Sequence, residues 1–132
     1  MTDLALSDIA ITPSEVVRHA TRDLATALAQ TPAFKAFEQA AAALRQDEAA
    51  QQAIRAYQQK QQALQMMLML NAVSAEDRAE LNRLYQEFVS RPSVLAYVQA
   101  EADLREVCQA VADRLSRHIG FDFVAACSSG CC

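Results

Sequence analysis

The sequence predicts an all-α fold, an antiparallel bundle of about five helices in which the third and the fifth are long. Glycine and proline are scarce, with two and three copies among 132 residues, and 52% of the residues are hydrophobic. Turns and strands would require more glycine and more β-branched residues than this chain contains. Apolar residues also recur at the three-and-four spacing of an amphipathic helix, often after a proline or a capping residue.

The first two predicted helices begin at similar signals. Thr12, Pro13 and Glu15 predict an N-cap, a proline at the first helical position and an acidic third position. Thr31 and Pro32 repeat this start, and the sequence leaves open whether Pro32 separates two helices or kinks one long helix. The apolar positions of the two helices are Val17, Ala20, Leu24, Ala27, Phe34, Phe37, Ala41 and Leu44.

The third and fourth helices each follow a capping residue. Asp47 is the predicted N-cap of a long third helix over residues 48–70. Ser74 opens a capping-box pattern, which predicts a fourth helix over about residues 75–90.

The fifth helix begins at Pro92 and continues to Gly120, a residue type that commonly ends helices. Its apolar stripe is formed by Val94, Tyr97, Leu104, Cys108, Val111, Leu115 and His118. After Gly120 the helical signals stop. We therefore expect a single helical-bundle domain over residues 1–120 and a flexible cysteine-containing tail over residues 121–132.

An internal similarity relates the second helix to the fifth. Residues 32–45 and 92–105 are identical at seven of fourteen positions, and Phe37 aligns with Tyr97. Either the two helices are pseudo-equivalent and pack side by side, or two alanine-rich amphipathic helices that begin at proline look alike by chance.

Composition and motifs exclude several functional classes. The net charge is −4, and lysine and arginine form no basic cluster, so we expect no direct nucleic-acid binding. The chain contains no HExxH, glycine-rich phosphate loop or GxSxG motif, so we expect no enzymatic activity. The acidic N-terminus does not resemble a secretory signal, and the longest apolar run is too short for a membrane span. We therefore expect a cytoplasmic protein without membrane insertion.

The C-terminal cysteines are the candidate metal ligands. Cys127, Cys131 and Cys132 lie within the last six residues, where thiolates would suit iron, zinc or copper. Three thiolates are one ligand short of a tetrahedral zinc site or a four-iron cluster. A fourth would come from a second subunit or from Cys108, which the apolar stripe of the fifth helix places in the core. A tail without a ligand and an intermolecular disulfide are the alternatives.

Methionines crowd the end of the third helix. Met66, Met67 and Met69 fall on more than one side of that helix, where an amphipathic helix would show a polar face. This pattern indicates either an interface with another chain or a helix end buried within its own bundle. The nearby glutamines favour self-association, because they supply uncharged polar surface.

The order of these segments resembles the YlbF/YmcA family of small helical bacterial proteins. The stretches that carry the resemblance are residues 34–40, 44–49, 54–57, 61–64 and 91–104. They are helix junctions and core stripes rather than catalytic motifs. The cysteine-rich segment 127–132 is also similar to the tail of the YlbF branch.

The resemblance implies a regulatory subunit that is not an enzyme. Proteins of this kind assemble with a paralogue and a third protein, carry iron-sulfur clusters and direct the membrane-anchored endoribonuclease RNase Y in messenger-RNA maturation. Competence, sporulation and biofilm formation depend on them. For this chain we therefore expect a homo-oligomer or a hetero-oligomer with paralogues, a possible RNase Y complex, and an iron-sulfur cluster shared between subunits. The alternative is a small metal- or redox-handling protein that acts through its C-terminal thiols.

Overall fold

The computed structural model describes residues 14–128 and is helical over 88% of them, with no strand in that part of the chain. The all-α prediction is therefore confirmed. The helices are α1 (Glu15–Ala29), α2 (Pro32–Gln46), α3 (Glu48–Met69), α4 (Ala75–Val89), α5 (Pro92–Ile119) and α6 (Phe123–Ser128). The chain divides after Thr31 into two compact units, and the expected boundary at residue 120 stays a prediction.

The first unit contains α1. The hydroxyl of Ser14 accepts the N–H of Val17 at 3.4 Å and is the N-cap. The prediction that Thr12 caps this helix and that Pro13 is its first residue is therefore wrong, since the helix begins at Glu15. The earlier two residues lie outside the described part of the chain. Because α1 ends at Ala29 and a new helix starts at Pro32, that proline separates two helices.

In the second unit, α2 and α5 pack side by side. The rings of Phe37 and Tyr97 lie 5.4 Å apart. The Ser93 hydroxyl, at the start of α5, donates to Asp47 at the end of α2 with a distance of 2.6 Å, so the two helices run antiparallel. Of the two interpretations of the internal similarity, the structure agrees with side-by-side packing, with the aligned aromatic residues in contact.

Helices α3 and α4 form a second antiparallel pair. The ring of Tyr57 lies 5.7 Å from Tyr85 and 5.0 Å from Phe88. Nearer the turn, the Lys60 ammonium contacts the Asp77 carboxylate at 2.8 Å. One face of α3 is thus fastened to α4 by an aromatic cluster and an ion pair.

The buried side chains of the described residues are small. They are Ala50, Ala53, Leu64, Val94 and Ala100. No large side chain in this part of the chain is fully buried. Alanine allows helices to approach closely, but it removes little apolar surface from water, so larger apolar side chains remain on the outside.

A short helix that the sequence did not predict follows α5. Gly120 ends α5 in the left-handed conformation at φ +79°, as its position predicted. The Asp122 carboxylate then accepts the Ala125 N–H at 3.0 Å and begins α6, while the Phe123 N–H donates to Ser116 of α5. Six residues are too few to show a periodic pattern in the sequence. The cap and the hydrogen bond to α5 stabilise this short helix.

Candidate protein-interaction surfaces

The end of α3 is an exposed apolar surface, which we call the methionine tip and define as residues 66–70. The exposed fractions along it are 75% for Met66, 43% for Met67, 42% for Leu68, 81% for Met69 and 72% for Leu70. The alternative prediction, that this helix end is buried within its own bundle, is therefore wrong. The interpretation as a partner surface remains.

Glutamines extend the methionine tip along α3. One shallow furrow is lined by Gln61, Gln62, Gln65, Leu68 and Met69, and a second by Gln62, Gln65, Met66, Met69 and Leu70. No charged residue occurs between positions 61 and 75. This end of the α3–α4 pair therefore offers a neutral surface of thioethers, aliphatic groups and amides.

A second apolar surface lies where α5 meets α6, and we call it the C-terminal apolar surface. Its members are Leu115, Ile119, Phe121, Phe123 and Val124, which are 36–54% exposed. Asp113 and Arg117 line the same shallow depression as Phe121 and Val124. Sequence reasoning missed this surface because it assigned residues after Gly120 to a tail. The available signal was Asp122, a capping residue directly before an apolar segment.

The cysteines are distributed differently from the prediction. Cys108 is exposed, so its assignment to the core is wrong. The adjacent residue, Val107, is half-buried. Cys127 is half-buried on α6, whereas Cys131 and Cys132 lie outside the described residues.

The described residues do not provide a metal site by themselves. Between residues 14 and 128, no group of three or more histidine, cysteine, aspartate or glutamate side chains is placed to hold an ion. Of the predicted ligands, only Cys127 and the alternative fourth ligand Cys108 lie in this range, and two thiolates are too few for an iron-sulfur cluster or a structural zinc.

The carboxylates with shifted pKa values serve the fold. The Ser93 hydroxyl and then the Ala50 N–H lower the pKa of Asp47 by hydrogen bonds to its charged form. Hydrogen bonds from Lys60 and then Ser74 lower the pKa of Asp77. Asp47 caps α3, and Asp77 accepts a hydrogen bond from Ser74, the N-cap of α4. Each carboxylate also fastens one element to another, so its ionisation has a structural explanation.

Arg83 and its neighbours form an exposed network on α4. The guanidinium contacts Glu80 at 2.8 Å and Glu87 at 3.2 Å. Glu80 is the main cause of the raised pKa of Arg83, and Arg83 in turn lowers the pKa of Glu80. These are pairs within one helix on its solvent side, so they indicate a solvated face rather than a catalytic centre.

An all-helical fold with small buried side chains and exposed apolar helix faces is typical of a protein that binds other proteins. A family model described as control of competence regulator ComK, YlbF/YmcA matches residues 17–120. The chain therefore belongs to the YlbF/YmcA family, and it is a member of a family of competence regulators.

The other comparisons yield no relative. No curated protein and no solved structure matches the chain. Within residues 14–128, no helix has both the length and the apolarity needed to cross a membrane.

Proposed function

We propose that this protein is a non-enzymatic regulatory adaptor that acts in the cytoplasm by binding other protein chains through its exposed helix faces. One observation carries the proposal, namely the mismatch between the buried and the exposed apolar side chains. The largest buried side chain among the described residues is Leu64, while five residues of the methionine tip and five of the C-terminal apolar surface are exposed. Contiguous exposed apolar surface of this kind marks an interaction site.

The proposed partners are paralogues from the same family, in a complex that modulates RNase Y-dependent processing of messenger RNA. The description of the family, control of the competence regulator ComK, supports a regulatory role for this chain. The acidic composition supports indirect rather than direct action on RNA, because a phosphate backbone would require a basic surface.

An iron-sulfur cluster shared between subunits is part of the proposal. Cys127, Cys131 and Cys132 would contribute ligands, and a second chain would complete the set. Support comes from the position of Cys127, half-buried on α6 beside the C-terminal apolar surface. Anaerobic purification with iron and acid-labile sulfide analysis tests it, on the chain alone and co-expressed with a paralogue. A complex without iron and sulfide after reconstitution would contradict a shared cluster.

Capture of a co-expressed, affinity-tagged paralogue tests the adaptor function. We expect the wild-type chain to co-purify with the paralogue. The paralogue should retain at least about tenfold less of a Phe121→Glu, Val124→Glu variant, because binding would remove the charged glutamate carboxylates from water. Leu95→Glu with Val98→Glu is the matched control, since both side chains are also about half exposed, at 56% and 55%. Wild-type chain that captures no family paralogue would contradict the proposal.

The alternative function, a small metal- or redox-handling protein, rests on the cluster of cysteines at positions 127, 131 and 132 and predicts a different result. Replacing Cys127, Cys131 and Cys132 by serine leaves paralogue capture intact if helix faces do the binding. The same triple variant loses its activity in the cell if the thiols carry the function.

A further inference from the structure

We propose that the second half of α5 binds an amphipathic helix of a different protein, one that carries carboxylates beside its apolar face. The inference rests on the proposed function, which assigns binding to exposed helix faces, and deepens it by stating the chemistry of a partner. We call the apolar row of this half-helix the distal seam and define it as Val107, Val111 and Leu115. Arg114 and Arg117 lie beside it.

Within the second unit, α2 covers only the first half of α5. The two helices share one end, where the Ser93 hydroxyl donates to Asp47 at 2.6 Å, but α2 has 15 residues and α5 has 28. About thirteen residues of α5, or roughly 20 Å of helix, therefore extend past the start of α2.

The face of α5 that packs on α2 continues along this second half. Tyr97 contacts Phe37 of α2, Leu104 lies seven residues later, and the distal seam continues this row at intervals of three or four residues. Two members of the seam are half-buried, and Leu115 is 36% exposed. Because a row with this spacing packs against a second helix, a helix that extends the line of α2 would cover the distal seam.

Two arginines border the distal seam. Arg114 and Arg117 are exposed and line a shallow furrow together with two residues of the seam. Neither guanidinium forms an ion pair with any residue between 14 and 128. The carboxylate that shares the furrow, Asp113, accepts the Gln109 amide at 2.9 Å. Since a guanidinium binds a carboxylate through two parallel hydrogen bonds, carboxylates on the partner would complement this border.

Charge complementarity favours a different protein over a second copy. Closely spaced carboxylates on the helices of this chain are already paired, as Glu80 and Glu87 are with Arg83. A lipid surface or a phosphate backbone would call for a broader basic surface, and Glu106 and Asp113 interrupt the basic residues of this half-helix.

The length of the distal seam suits recognition of one helix. Roughly 20 Å accommodates three to four turns of a partner helix. An amphipathic helix that lies along such a surface is held by apolar anchors at intervals of three, four and seven residues. We therefore expect leucine-like anchors at these intervals in the partner, with aspartate or glutamate on the side that meets Arg114 and Arg117.

Two labelled peptides test this chemistry. Both form amphipathic helices of about 18 residues with leucine at the anchor positions, and one has glutamate at the flanking positions where the other has lysine. Fluorescence anisotropy with the full chain should give a dissociation constant at least about tenfold lower for the glutamate peptide, because its carboxylates meet the two arginines.

Charge reversal tests the arginines directly. Arg114→Glu with Arg117→Glu should invert the preference, so that the lysine peptide binds more tightly, while Arg114→Gln with Arg117→Gln should remove the preference without adding repulsion. Arg55→Glu with Arg78→Glu makes the same change in charge on α3 and α4 and should keep the wild-type preference. All four arginines are exposed, so each variant should keep its helical circular-dichroism spectrum.

Thiol protection locates the bound peptide. At about ten times its dissociation constant, the glutamate peptide leaves roughly a tenth of the sites free. In a background with the four native cysteines replaced by serine, it should therefore slow labelling of a Leu115→Cys variant about tenfold. A Val98→Cys variant, on another side of α5, should be labelled at the same rate with and without the peptide.

The remaining outcomes also decide the question. A wild-type chain that binds neither peptide, binds both equally or prefers lysine overturns the inference, as does a glutamate preference that survives charge reversal. Self-association, binding to phosphatidylglycerol vesicles or binding to single-stranded RNA that depends on Arg114 and Arg117, without binding of the glutamate peptide, assigns the surface to another occupant and also overturns it.

The inference and the proposed function can fail separately. A chain that captures the paralogue but does not discriminate between the two peptides overturns the inference alone. Arginine-dependent binding of the glutamate peptide by a chain that captures no paralogue would support the inference while contradicting the proposed function.

Discussion

Single carboxylates connect elements of this fold that are distant in sequence. Asp47 accepts the N–H of Ala50, as the N-cap of α3, and also the hydroxyl of Ser93, which is 46 positions further along the chain. Asp77 bonds Ser74 at the start of α4 and pairs with Lys60 on α3. These bonds favour the ionised form of both carboxylates, so the stability of the fold depends on pH.

We predict that stability falls in acid because of Asp47 and Asp77. Their folded-state pKa values lie below the ordinary value of 3.8, so their contribution is complete above that pH and is lost as the pH falls through the lower folded-state values. Urea unfolding of Asp77→Asn should therefore show a smaller drop between pH 7 and pH 3 than wild type. Glu38→Gln, at an exposed position, is the control and keeps the wild-type pH dependence. An equal drop in the free energy of unfolding for all three proteins would contradict the role assigned to Asp77.

Gly120 supports a second prediction at the residue scale. Its φ of +79° is unfavourable for a side chain, and the space that a Cβ would occupy is open, so the backbone alone sets the cost. Gly120→Ala should lower the free energy of unfolding by about 1 kcal/mol. Gly120→Asn should lose less, since asparagine tolerates this conformation. Chemical denaturation measures both, and an alanine variant as stable as wild type would contradict the explanation.

At the scale of elements, α3 has one face committed to α4 and another face open. Tyr57, Lys60 and Leu64 follow the committed face, while Met66 and Met69 lie on the open side of the helix end. The same helix thus contributes to the fold and presents a surface for binding. We expect the same substitution to lower the free energy of unfolding more at a buried position of this helix than at an exposed one.

We predict that Leu64→Ala lowers the free energy of unfolding by about 2–4 kcal/mol, since it removes buried methyl groups and leaves a cavity. Leu68→Ala, four residues later at 42% exposure, should cost less than about 1 kcal/mol. Denaturation of the two variants at low protein concentration gives the comparison without a contribution from association. Similar losses of unfolding free energy would show that Leu68 contributes as much to stability as Leu64, which would contradict the prediction.

Helix α6 depends on its first residue, because six residues gain little from helix propagation. Asp122→Ala removes the bond to the Ala125 N–H and should open the helix, while Asp122→Ser retains a capping oxygen. With Cys127 as the sole cysteine, thiol labelling should become several-fold faster in the alanine variant only. Unchanged labelling would show that contacts with α5 hold α6 without the cap.

At the scale of the whole molecule, few side chains are buried among the described residues while many large apolar ones are exposed. A paralogue that covers the C-terminal apolar surface would stabilise the folded form by mass action. We therefore predict that the thermal midpoint of the wild-type chain rises when the paralogue is added. The Phe121→Glu, Val124→Glu variant should show a smaller rise, and scanning calorimetry at increasing paralogue concentration compares the two proteins.

Helix starts were predictable because their signals are local. Asp47 and Ser74 cap α3 and α4, Pro32 and Pro92 begin α2 and α5, and Gly120 ends α5, as the sequence indicated. Each depends on hydrogen bonds or backbone angles within a few residues. The start of α1 was misplaced by two residues because Ser14 competes with Thr12 for the same capping role.

The candidate surfaces were less predictable than the helices. The apolar stripe predicted for α5 included Cys108, which is exposed, and not the adjacent Val107, which is half-buried. Which of two adjacent residues is covered depends on where the neighbouring helices lie, and the periodicity of one helix does not contain that information. The methionines were consistent with a buried helix end and with a partner surface. Periodicity shows which residues share a face of a helix, but not which element, if any, packs against that face.

The sequence by itself determined the helical class, most of the helix caps and the family, since each follows from local chemistry or from the order of the helical segments. The packing of α2 against α5 was one of two interpretations that the sequence left open, and the structure decided it. The tertiary structure alone decided that the methionine tip is exposed, that Cys108 faces outward and that Asp122 begins α6 against α5. Exposure and pairing are properties of residues far apart in the chain, so they exist only after the helices have packed.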